Sequence, residues 1–81
     1  MELIGVHIEQ MQLLINTPLI PPPVWAKTWQ TEAEHILFLA HSAKDNEDLK
    51  QLMMLDKEAD HMVKLRIARL ANRLDKTKGP G

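Results

Sequence analysis

Two short motifs in this 81-residue chain carry residue types suited to metal chemistry, Glu32-Ala33-Glu34-His35 and Glu58-Ala59-Asp60-His61. A carboxylate and an imidazole three positions apart fall on the same side of a helix, and such a mixed oxygen and nitrogen donor set suits first-row divalent cations. Other chemistry is poorly served. With no cysteine and no tyrosine, thiolate nucleophiles, thiolate zinc sites, disulfides and phenolic acids are all excluded. Ser42 is the sole serine, and its neighbour His41 points to a different side of a helix. The glycines, Gly5, Gly79 and Gly81, lie near the chain ends, which leaves no glycine-rich loop to cradle a phosphate. The chain is therefore expected not to be an enzyme.

The placement of Glu32 on one helix and Glu58-x-x-His61 on the next resembles, in outline, the two-helix encapsulated ferritins. Those proteins supply a Glu from one helix and a Glu-x-x-His from the next and complete the bundle by dimerising. The resemblance implies a metal-binding, ferritin-like bundle with Glu32, Glu58 and His61 as ligands. Helix phase predicts otherwise. At about 100° per residue, Glu58 and His61 fall opposite Leu52, Val63, Ile67 and Leu70, whereas Glu32 falls within the Trp25, Trp29 and Ile36 face. Within one chain these faces are expected to diverge, so no metal and no cofactor is expected; only a second subunit on the other face of the last helix would unite them.

Two further charged sets stand out. Glu32, Asp56 and Asp60 each fall on or near the apolar stripe of their own helix, and three carboxylates at one level of a core would repel unless paired or bound to a cation. The alternative is that Asp56 caps a break in the last helix and turns Asp60 into water. Arg66, Arg69, Arg73 and Lys76 recur at three- and four-residue spacing, as a contact for phosphate or an acidic partner would, or as a solvated face complementing a helix C-terminus. A net charge of −1 argues against a chain that coats nucleic acid, so an accessory role on nucleic acid is the weaker alternative.

These residues need helices to position them. Apolar residues make up 44% and charged residues 26% of the chain, the balance of a folded domain. Leu3, Ile4, His7, Ile8, Met11, Leu14 and Ile15 recur at helical spacing and predict a first helix over 2–16, although Ile4, Val6 and Ile8 also alternate as a strand would. Thr17-Pro18-Leu19-Ile20-Pro21-Pro22-Pro23 stops it, because proline lacks the backbone donor and forces extended geometry on its predecessor. A second helix is predicted over 24–43, with Trp25, Trp29, Ala33, Ile36, Ala40 and Ala43 facing inward. A third is predicted over 46–76, opened by the Asp45 to Asp48 cap residues and carrying Leu49, Leu52, Ala59, Val63, Ile67, Leu70 and Leu74 on one side. The expected fold is a small all-α, three-helix domain over 1–76 with a tail at 77–81, its second and third helices forming an antiparallel hairpin that dimerises into a larger bundle.

Surface decides the expected function. Met54, Leu55, Met62 and Leu65 form a second apolar stripe on the third helix, and Phe38 points away from Trp25 and Trp29; apolar patches of this kind mark interfaces. Phe38, Met54, Leu55, Met62 and Leu65 are the expected partner-binding residues. The expected function is a protein-protein interaction module, a homodimer or a binder of a larger protein, of the adaptor, inhibitor or phage-type host regulator kind. No run is long and apolar enough to span a membrane and no basic leader opens the chain, so a cytoplasmic location without membrane contact is expected.

Overall fold

The computed structural model describes residues 5–78, with side chains for 5–72. It is all α: α1 (Val6–Ile15), α2 (Ala26–Asp45) and α3 (Leu49–Lys78), with no strand among the described residues. Each helix packs against the other two. The 30 residues of α3, at 1.5 Å each about 45 Å long, set the 53 Å long axis of a body only 20 by 17 Å across.

The question of helix or strand near the N-terminus resolves as helix from Val6, and residues 1–4 lie outside the described part. Two charged side chains of α3 hold α1 at its ends. The Asp56 carboxylate accepts hydrogen bonds from the backbone N–H groups of His7 (3.0 Å) and Ile8 (3.1 Å), as an N-cap side chain does, but from another helix. Arg66 donates to the carbonyls of Leu14 (2.8 Å) and Thr17 (2.6 Å) at the other end. Each charge sits at the pole of the α1 dipole that it complements. Ten residues separate Asp56 from Arg66 and α1 is ten residues long, so the helices share direction and register. Gly5 lies so close to Asp56 that a Cβ there would overlap the carboxylate. Ile8 and Met11 complete the attachment, both fully buried.

After the proline segment, which contains a cis Ile20–Pro21 bond, α2 begins two residues later than its sequence predicts. Pro23 accepts from the N–H of Ala26 (3.0 Å) in a turn before the helix proper. The expected inward stripe is present: Trp29, Ala33, Ile36, Ala40 and Ala43 are buried, with Trp25 half-buried. Three alanines let the helix pack closely, and Trp29 satisfies its indole N–H on the carbonyl of Met62 (2.9 Å).

α2 runs to Asp45, and Asp45 to Glu47 do not begin α3. Glu47 adopts φ 57°, while Asp48 N–H bonds the Ala43 carbonyl (2.8 Å) and Glu47 N–H that of Lys44 (3.0 Å). That is the Schellman pattern with glutamate in the position that favours glycine. Asp48 alone caps α3, accepting from the N–H of Gln51 (3.1 Å).

The inward face of α3 is rotated from the expected stripe. Leu55, Ala59, Met62, Val63 and Arg66 are buried, whereas Leu49 (71% exposed) and Ile67 (57%) face outward; the Leu74 side chain lies outside the described residues. The reason is that α3 lies between two neighbours. One flank meets α1 and the adjacent flank meets α2, so both apolar stripes of the sequence are edges of a single arc centred on Leu55, Ala59, Met62 and Arg66.

Candidate functional site

α1 occupies the flank of α3 that carries Asp60, Val63, Lys64 and Ile67, where Gln10, Leu13 and Leu14 line the junction. The opposite flank carries a groove of about 510 Å³ lined by α2 and α3 alone. Its floor is apolar: Ile36 and Met62 are buried and Leu65 is half-buried. On its walls stand Thr31, Glu32, His35, Glu58 and His61, all exposed. The i,i+3 spacing that puts Glu and His on one side of each helix therefore brings both Glu-x-x-His motifs to the same groove.

This corrects the expectation that Glu32 and the Glu58 and His61 pair diverge. That expectation took the centre of the α3 core to lie at Val63 and Ile67. With the centre at Leu55, Met62 and Arg66, Glu58 stands at the edge of the α2 contact, and Glu32 stands at the matching edge of α2. Even so, among the described residues no three His, Asp or Glu side chains of one chain converge closely enough to hold a metal ion. The side chains of Glu32, His35, Glu58 and His61 make no hydrogen bond or ion pair among the described residues.

The acidic set expected at one level of the core is dispersed. Asp56 caps α1, not a break in α3, which is continuous from Leu49 to Lys78. Asp60, on the α1 flank, pairs with Lys64 (3.1 Å) and approaches His7 Nδ1 (3.4 Å). Glu32 is exposed on the other side.

The expected basic contact surface is also corrected. Arg66 is buried, stacked over the Trp29 ring at 4.8 Å from its centroid, and committed to the two carbonyls at the end of α1. Burial pushes its pKa down from the usual arginine value; charge-assisted hydrogen bonds and the aromatic face replace water around a guanidinium that stays charged. Arg69 covers Trp25 at 5.4 Å. Arg66 is therefore a structural residue whose fork is engaged, whereas Arg69 is half-buried with its guanidinium against one indole face. The side chains of Arg73 and Lys76 lie outside the described residues.

Of the expected partner-binding residues, Leu55 and Met62 belong to the core, a correction that follows from the rotated arc of α3. Leu65 lines the groove. Met54 is 62% exposed, and at about 100° per residue it shares the arc of Glu58, His61 and Leu65. Phe38 is 70% exposed but lies on the back of α2, outside the groove lining. No helix is long and apolar enough to cross a membrane among the described residues. Comparison of the chain with protein families, with curated proteins and with solved structures finds no match in any of the three.

Proposed function

We propose that this chain is a small interaction module that works by pairing with a second copy of itself across the α2 and α3 groove. The observation that carries the reading is a groove with an apolar floor on the flank of α3 that α1 leaves bare. In this reading α2 and α3 run antiparallel, consistent with Trp25 standing beside Arg69, Trp29 beside Met62 and Arg66, and Glu32 across from Glu58. Two such pairs of helices, related by a two-fold axis, close into a four-helix bundle.

Size favours a second copy as the occupant. Among the described residues the core holds eleven buried apolar side chains, four of them alanine, a small core of the kind that self-association commonly supplements. A standard interface buries about 800 Å² per partner, roughly an eighth of the 6010 Å² surface of this chain.

Leu65→Glu places a carboxylate on the groove floor next to Glu58 and Glu32. Light scattering at high micromolar concentration should show a dimer for the unmodified chain and a monomer for Leu65→Glu, with helical circular dichroism kept. A monomeric unmodified chain rejects the reading.

A further inference from the structure

We infer that the two copies lie antiparallel, with the basic C-terminal end of α3 in each covering the acidic α2–α3 turn of the other. This rests on the dimer reading and adds to it the direction of the second copy and a contact outside the groove. Charge is segregated along the sequence. Positions 64–78 carry six lysines and arginines against one aspartate, whereas positions 44–60 carry six acidic residues against three lysines. Asp45, Glu47 and Asp48 crowd the turn, and all three are exposed.

The basic end also outruns the helices beside it. Arg66 bonds carbonyls at the end of α1, and Arg69 lies over Trp25, the residue before α2. Residues 70–78 of α3 therefore continue for about 13 Å past the ends of both neighbouring helices, and Ala71 and Asn72 are exposed. On α3 the groove is lined by Glu58, His61, Met62 and Leu65, so its centre falls between His61 and Met62. A two-fold axis along the helices would set basic end beside basic end and turn beside turn. A two-fold axis across the helices at that centre opposes position 76 of one copy to position 47 of the other, which stand equally far from it. Position 76 is also about five full turns beyond Glu58, on the groove side of the helix. Lys76 and Glu47 are then level with each other twice per dimer, and the overhang of each α3 ends beside the turn of its partner. Opposite charges favour this direction and like charges penalise the other.

The test is a charge exchange in the full chain, read by sedimentation equilibrium at low salt. Lys76→Glu and Glu47→Lys should each weaken pairing by about tenfold, since each turns two attractive pairs into repulsive ones. The double variant, Lys76→Glu with Glu47→Lys, should recover the strength of the parent. Helical circular dichroism should be the same in all four chains, which separates pairing from folding. Pairing indifferent to both single substitutions, as an axis along the helices would give, overturns the inference and leaves the dimer standing. A double variant that pairs no better than the single ones also overturns it. A chain that stays monomeric under every condition removes the dimer reading and this inference with it.

Discussion

At the scale of single residues, Arg66 decides most. Its guanidinium forks across two carbonyls, Leu14 and Thr17, while its face covers Trp29. Lysine keeps the charge but presents a point, not a planar fork. Arg66→Lys should therefore cost about 1.5 to 3 kcal/mol, the range for hydrogen bonds to a charged group, read as a lower urea midpoint. An unchanged midpoint would show that the fork contributes nothing. Glu47 makes the opposite case, a side chain held at φ 57° where glycine pays no steric cost. Glu47→Gly is expected to stabilise the chain by roughly 0.5 to 1 kcal/mol, measured by thermal melting. Trp29 is legible in the sequence because it recurs with Ala33, Ile36 and Ala40 at helical spacing. The roles of Asp56 and Arg66 are not, because their partners in α1 lie about fifty positions away and are backbone atoms, which leave no mark in residue type.

At the scale of elements, the three helices are legible from periodicity and proline, while turns on either side of α2 shift its start and end by two residues and the start of α3 by three. The inward face of α3 is not. Its apolar residues cover a broad arc, and sequence alone divides it into two stripes, one for the core and one for an interface. The structure joins the two stripes because α1 and α2 cover adjacent flanks. Leu55 and Met54, neighbours in the chain, separate the two descriptions. Leu55→Ala should cost about 2 to 4 kcal/mol as a buried truncation, while Met54→Ala should stay within about 0.5 kcal/mol in the monomeric Leu65→Glu background. Chemical denaturation of the two variants reads the difference, and equal costs would place the core of α3 wrongly.

At the scale of the whole molecule, the same rotation that buries Leu55 and Met62 also turns Glu58 and His61 toward Glu32 and His35. The motifs are legible as pairs on single helices; their meeting in one groove depends on the relative phase of two helices, which no single-helix pattern contains. The central claim is that a second copy covers this groove. Because the chain has no cysteine, a single introduced cysteine carries one spin label per chain without background. Thr31 lines the groove and Gln10 lies on the α1 flank, both exposed. The account predicts strong dipolar coupling between two chains labelled at Thr31→Cys and weak coupling between chains labelled at Gln10→Cys. Weak coupling at Thr31→Cys with strong coupling at Gln10→Cys, or no coupling at either, would contradict it.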